Sequence, residues 1–498
     1  MARKIPRALW LVLPLAYFLF FYHLSAVGLI GQDEPRYASI AREMAASGDW
    51  ITPRLAGQPW FEKPALLYWF EGAAYRIHLG PELAARLPVA ILALAFLGFF
   101  WWILDREFGC ACASIATAIL GTSAGWIICS QVGVPDLPLT ATFSAAMLLA
   151  LPWIARRDAG WLPHAAALLG AAVVAKGPVA LALAIPVAVP WKLDGVPLAG
   201  GIRENLRELA RPRVIVPFLV VALPWYLLCT LRNGSVFLRD FFWKHNVERF
   251  TSAAALQHGQ PFWFYVPVLL GALLPWTPLV PLAARGAQYR DPRRRFLLAW
   301  VAVGVVLFSV SANKLPGYIL PVLPAAAILM GQALAELTDA APWLAACAVL
   351  LVVFPIAAPM LPVALPSGLS HAAFPPFRWF WLLPACVAAT AWLLERKAHR
   401  LAAVLCICAG VTAGVAYLKF DSYAALDGTA SARSLWRDLA PYGGSTCVGQ
   451  ISRYLRYSLD FYSVTPLPDC AMHPRPYRFS QLPGQPPRLV PAQKGTAR

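Results

Sequence analysis

The stretch "ALWLVLPLAYFLFFYHLSAVGLIGQDEPRYASIAREM" (residues 8–44) sets the fold class of the chain. Residues 8–30 form an apolar run long enough to cross a bilayer core, which takes about 20 residues of helix. The 20 residues that follow, 31–50, carry six charges: Asp33, Glu34, Arg36, Arg42, Glu43 and Asp49. Only 13% of the whole chain is charged. A dense polar cluster at the end of a membrane span therefore needs a reason.

The rest of the 498-residue chain repeats the apolar half of that pattern. It is 59% hydrophobic with a mean hydropathy of +0.58. A soluble chain could not hide so much apolar surface, so the reading is an all-α polytopic membrane protein. Thirteen candidate transmembrane helices fall at 8–30, 83–104, 110–130, 137–155, 160–175, 178–191, 213–231, 261–282, 296–311, 317–335, 341–363, 379–394 and 401–418. The basic start "MARKIPR" precedes a long apolar run without a small-x-small cleavage site, which reads as an uncleaved anchor. The 20 Trp and 16 Tyr suit interfacial belts in a lipid bilayer.

A net charge of +17 could signal nucleic acid, but its distribution excludes that partner. The basic clusters "MARKIPR", "ARRD", "KLDG…IRENLRELARPR", "RGAQYRDPRRR" and "ERKAHR" occupy loops of one parity, as the positive-inside rule expects. The loop at "AELTDAA" lacks basic residues and fits this pattern poorly. Thirteen spans from a cytoplasmic N-terminus divide the chain into a membrane module, 1–419, and an external C-terminal domain, 420–498. The stretch "STCVGQISRYLRYSLDFYSV" suggests a small α/β unit there, in which Cys447 and Cys470 could form a disulfide in an oxidising compartment. The other eight Cys read as apolar filler.

Two further external segments, 31–82 and 232–260, are too long to be mere connectors. "EPRYASIAREMAAS" and "KPALLYWFEGAAYRIHL" read as helices lying in the membrane interface. Six polar patches share this outward side: Asp33, Glu34 and Arg36; Glu62 and Lys63; Asp136; Lys176; Lys244, His245, Glu248 and Arg249; Asn313, Lys314 and Tyr318. Each has an ordinary alternative. Asp33 and Glu34, or Asp136, could simply cap helices. Glu62–Lys63 could be a surface ion pair, Lys176 could snorkel, Lys314 could anchor at the interface, and His245 could be a solvated loop residue. Their gathering on one face argues instead for a polar cavity, since ionisable groups at membrane depth tend to mark a site. Acids, a His and fixed cations suit transfer from a phosphorylated lipid. Cations hold the leaving phosphate, a carboxylate orients the nucleophile, and carboxylate plus imidazole can bind a metal.

"DEPRYASIAREM…GDWITPRLAGQPWFEKPALLYW", followed by "LPVAI", "VPDLPL", "AKGPVALAL", "HNVERF" and "NKLPGYILPVLPA", resembles the bacterial lipid A aminoarabinose (4-amino-4-deoxy-L-arabinose) transferase family. That family lies among the polyprenyl-phosphate-dependent glycosyltransferases of GT-C type, with the protein O-mannosyltransferases. The resemblance implies a helical membrane bundle of the inner membrane with its site at the periplasmic face. It implies transfer of an aminosugar from undecaprenyl phosphate to a lipid A phosphate, with inversion. The product is less negative and binds cationic peptides such as polymyxin less well. By resemblance, Asp33 is the central catalytic acid and Asp136 supports it. Glu62 and His245 hold a divalent metal, Zn2+ by expectation. Arg36, Lys63, Arg249 and Lys314 grip donor phosphate, with Lys176 and Tyr318 beside them. After about residue 335 the matching fades, which leaves open the sugar (aminoarabinose or a hexosamine such as glucosamine) and the acceptor (lipid A, a protein or another envelope glycan). A transporter would be expected to show two related halves, and no internal repeat is visible.

Overall fold

The computed structural model describes residues 9–191, 198–248, 260–284, 291–481 and 488–491. Helix α1 (Leu9–Ala16) runs into a π turn, Tyr17–Phe21. The segment after it folds as α2 (Asp33–Ser47), a small antiparallel hairpin of β1 (Arg54–Leu55) and β2 (Gln58–Pro59), and α3 (Leu66–Arg76). Gly48 ends α2 at φ 73°, the left-handed geometry that glycine adopts without a Cβ penalty.

The body is a helical bundle. Its main helices are α4 (Pro81–Phe108), α5 (Cys110–Thr122), α6 (Asp136–Arg156), α7 (Leu162–Lys176), α8 (Pro212–His245), α9 (Pro292–Val310), α10 (Pro316–Glu336), α11 (Ala341–Ser367) and α12 (Arg400–Ala430). Six of the described helices are long and apolar enough to cross a membrane, or seven if the bent pair Phe262–Ala272 and Thr277–Ala283 is one span. Their apolar residues wrap the whole helix rather than one stripe, as expected of helices surrounded by protein and lipid. Burial separates the two settings. The apolar windows of α6 and α10 are 94% and 83% buried, so these helices form the centre. Those of α8 and α11 are 28% buried and face outward.

One end of the bundle is laced by arginines. Arg156 and Arg293 converge on the buried Glu107, and Arg157 donates to Asn205. The same end explains the acidic loop that fits the positive-inside pattern poorly. Arg294 pairs with Glu336, Arg396 with Asp339, and Arg400 donates to the Leu334, Ala335 and Leu337 carbonyls. The loop borrows its cations from neighbouring loops.

Helix α12 continues past 418, the expected end of the last span, to Ala430. Lys419, just past that point, is 1% exposed and donates to the Tyr22 carbonyl at 2.7 Å, so the helix carries the charge without ending. Beyond it, α13 (Arg433–Leu439), β3 (Thr446–Val448), α14 (Arg453–Ser463), β4 (Tyr477–Ser480) and β5 (Arg488–Pro491) make a small α/β unit. Strand order is β3-β4-β5, parallel then antiparallel. Leu439, Val448, Leu455, Leu459, Leu467 and Phe479 fill its core, and a Cys447–Cys470 disulfide closes it.

This unit docks on α2. Phe461 of α14 packs with Leu29, Ala38 and Ala85, and the Tyr462 hydroxyl accepts from the Leu29 amide while donating to Glu82. Helix α2 is therefore buried along most of its length, including Pro35, Tyr37, Ile40, Ala41 and Met44, rather than half-sunk in an interface. The cover comes from the far end of the chain.

Candidate active site

Asp33 opens α2, but its carboxylate does not cap the helix. It accepts from Arg36 Nη2 at 2.5 Å, one turn on, and the side chain stays 41% exposed. The same Nη2 reaches Glu62 Oε2 at 2.9 Å, while Lys63 Nζ lies 3.6 Å from Glu62 Oε1. Arg36 and Glu62 are buried, which rules out a surface ion pair. Tyr37, Trp60 and Tyr457 surround the guanidinium, with ring centroids 5.2, 5.7 and 5.4 Å from Cζ. Burial works against the Arg36 charge, but Tyr37, Glu62 and Asp33 outweigh it and hold the group above its ordinary range. Burial also pushes the Tyr37 and Tyr68 hydroxyls up, helped by the carboxylates of Asp33 and Glu62, so both phenols stay protonated.

Glu34, adjacent in sequence, faces the other way. Its two oxygens take Arg86 Nε and Nη2 at 2.7 and 2.8 Å, and the Ile30 and Gly133 amides at 2.8 and 3.1 Å. Arg86 also donates to the Leu24, Val27 and Gly28 carbonyls. This buried knot ties the end of the first span to α4 and to the turn before α6. Glu71 lies against Gly133, and both its oxygens are buried with no hydrogen-bond partner among the described residues. Burial, and then the Glu34 charge, push its carboxyl well above the usual range.

A second polar group begins three residues beyond Gly133. Asp136 opens α6 and makes no cap. It accepts from Lys176 Nζ, the last residue of α7, at 2.6 Å. The Lys176 side chain is 9% exposed and turned onto Asp136 rather than snorkelling, and its ammonium sits 4.4 Å from the centre of the Tyr318 ring. Gly317 fits because it has no Cβ: one there would lie 2.9 Å from Asp136 Oδ1. Lys314 is buried and donates to the Ser311 carbonyl at 2.7 Å. Chain geometry limits the separation of the two groups, since three residues span at most about 10 Å between Gly133 and Asp136.

A family model described as dolichyl-phosphate-mannose-protein mannosyltransferase matches residues 8–232. The undecaprenyl phosphate-alpha-4-amino-4-deoxy-L-arabinose arabinosyl transferase of Pseudomonas aeruginosa (strain UCBPP-PA14) is 34% identical over 343 residues, 66% of this chain and 60% of that protein. The enzyme of the same description from Aeromonas hydrophila is 34% identical over 64% of this chain and 58% of its own length. The chain thus spans about 60% of the length of the curated relatives it matches. The crystal structure of ArnT from Cupriavidus metallidurans bound to undecaprenyl phosphate superposes with a TM-score of 0.74 at 28% identity, over 93% of this chain and 86% of that one. Over about two thirds of its length the chain is thus similar to the aminoarabinose transferases.

The residues expected at the site fall into two described groups: Asp33, Arg36, Glu62 and Lys63, and Asp136, Lys176 and Tyr318, with Lys314 just ahead of Tyr318. His245 is half-buried on the π turn Arg239–Glu248 at the end of α8, and Arg249 lies outside the described residues. Among the described residues no group of three or more His, Cys, Asp or Glu could hold a metal. Glu62 is also bracketed by two cations. Glu62 and His245 alone fall short of the three protein ligands of a catalytic zinc, so no step below runs through a metal. Sequence reading missed Arg86, Glu71 and Tyr457. An arginine among alanines in "LAARLPVAI" was the available signal for Arg86; the other two carried none.

Proposed function

We propose that this chain is a multi-pass inner-membrane glycosyltransferase working at the periplasmic face. It moves an aminosugar, aminoarabinose or a hexosamine such as glucosamine, from undecaprenyl phosphate to a lipid A phosphate. All thirteen apolar segments cross in this reading, and the C-terminal α/β unit is periplasmic. The observation that carries it is the partly exposed Asp33, held by the buried Arg36 beside Glu62 and Lys63. The identity with named arabinosyl transferases and the fold of ArnT support it.

The chemistry follows from the charges. An acceptor phosphate oxygen attacks the anomeric carbon while the bond to the donor phosphate breaks, so configuration inverts and undecaprenyl phosphate leaves. The acceptor is already anionic, so Asp33 orients it rather than removing a tight proton. Lys63, Lys314, Arg249 and the Arg36 guanidinium set positive charge against the leaving phosphate. Asp136 fixes Lys176, and Tyr318 covers it. Orientation and pre-placed charge supply most of the rate gain. A modified lipid A is less negative, which lowers its attraction for polymyxin. A bound zinc would rest on Glu62 and His245, and elemental analysis of the purified protein decides it: less than one metal per chain rejects the proposal.

The test is mass spectrometry of lipid A from cells carrying the chain or its Asp33→Asn variant. A pentosamine increment lost in the variant supports aminoarabinose; a hexosamine increment keeps the mechanism and changes the sugar. Near-normal transfer by Asp33→Asn removes Asp33 from the mechanism. The mannosyltransferase family match favours one alternative, a protein acceptor. In that case Asp33 is a true general base, and the increment appears on protein rather than on lipid A.

A further inference from the structure

We infer that Tyr457, on the C-terminal helix α14, is a positioning residue of the reaction centre, acting through Arg36. The inference rests on the proposed glycosyl transfer and extends it to the C-terminal unit.

The argument starts from how Arg36 is held. A guanidinium has five N–H donors in a rigid plane. Among the described residues, the contacts of Arg36 to Asp33, Glu62 and the Tyr37 hydroxyl all leave from Nη2. Its Nε is buried and has no hydrogen-bond partner. These contacts hold the guanidinium by one corner and leave its far side without a hydrogen bond among the described residues. A fork with two anchored nitrogens, such as Arg86 on Glu34, fixes the plane by hydrogen bonds alone. For Arg36 the surrounding rings must do so. Tyr37 adjoins it in sequence and Trp60 comes from the same external segment. The remaining ring, Tyr457 at 5.4 Å, arrives from a separate unit. Stacking on an aromatic face orients a cation and, once desolvated, strengthens its hold.

Helix α14 is built to deliver that ring. Leu455 and Leu459 point into the core of the C-terminal unit. Tyr454, Tyr457, Ser458, Phe461 and Tyr462 follow the three-and-four spacing of the adjoining face, with Tyr454 and Tyr462 also touching that core. Tyr454 donates to the Thr429 carbonyl, Ser458 to the Leu29 carbonyl and Tyr462 to Glu82, while Phe461 lies under Arg42 at 4.4 Å. Those neighbours dock the helix without Tyr457, so its ring can be removed without detaching the unit. Losing it frees the Arg36 plane to swing and admits water beside the pair that holds Asp33.

The experiment is a double-mutant cycle on the full chain, reconstituted with undecaprenyl-phosphate-linked aminosugar and lipid A. Tyr457→Leu is expected to lower kcat about tenfold with donor KM within twofold, and Tyr457→Phe to restore most of it. In an Arg36→Lys background, Tyr457→Leu should cost no further activity. Equal loss in the Leu and Phe variants, multiplicative losses in the cycle, or an unchanged Leu variant would each overturn the inference. Thermal denaturation of the same proteins gives a readout independent of turnover. Non-additive melting shifts support the Arg36–Tyr457 coupling, and additive shifts reject it. If wild-type protein transfers nothing, the proposed function fails, and the melting cycle alone decides the coupling.

Discussion

Gly317 shows how tightly a single position is set at the second polar group. A methyl there would meet the Asp136 carboxylate at 2.9 Å, inside any normal Cβ contact. Gly317→Ala should separate Asp136 from Lys176. The expected result is a loss of transfer of at least tenfold and about 1–3 kcal/mol of stability, read by thermal denaturation. Glu71 gives a prediction with a sign in pH. Its folded-state carboxyl is raised, so the folded chain keeps a proton that the unfolded chain releases above about pH 4.3. Its contribution is therefore favourable only at low pH and falls as pH rises, by up to about 1.4 kcal/mol per unit. Glu71→Gln should raise the melting temperature over wild type, and by more at pH 8 than at pH 5; an equal gain at both would mean the carboxyl is not neutral. Asp33, Glu62, Asp136 and Lys176 were legible in the sequence because charges stand out at the ends of apolar runs. Arg86 and Glu71 lie inside helices, and only their three-dimensional partners reveal what they do.

Among elements, the knot of Glu34 and Arg86 does most to place the first group. It joins the end of the first span, the start of α4 and the turn before α6 through five side-chain-mediated partners of Arg86 and Glu34: the Leu24, Val27 and Gly28 carbonyls and the Ile30 and Gly133 amides. Arg86→Met strands the Glu34 carboxylate and should cost about 3–5 kcal/mol, seen as loss of folded protein in detergent. Adding Glu34→Gln to that variant should recover part of the loss. If the single variant keeps wild-type stability, the knot is not what aligns these elements. Six of the expected spans, those matching α4, α6, α8, α10, α11 and α12, were readable from apolar run lengths. The end of α12 was not, because a sequence shows Lys419 as a charge and cannot show the Tyr22 carbonyl that receives it. For the same reason α2 looked like an interfacial helix: its amphipathic pattern is real, but α14 covers its polar side.

At the scale of the whole molecule, the first external segment and the C-terminal unit form one assembly. The Cys447–Cys470 bond closes a loop with a sequence separation of 23 in the part that supplies Tyr457. Cys447→Ser with Cys470→Ser should cost that unit about 3 kcal/mol. Limited proteolysis should then cut within 446–480 while the helical bundle stays protected; equal resistance with and without the bond would show that the α2 contacts alone hold the unit.

The Gly28 amide rests on the Asp427 carboxylate, 399 residues later in the chain. A ribosome adding about 5–20 residues per second needs from about 20 to about 80 s to make what lies between. Throughout that interval Asp33 and Arg36 have already emerged while their cover has not been translated. A nascent chain therefore carries Asp33, Arg36, Glu62 and Lys63 with no α14 against them, and a prematurely terminated one stays so. The order of synthesis itself leaves Arg36 without the Tyr457 ring until α14 is made.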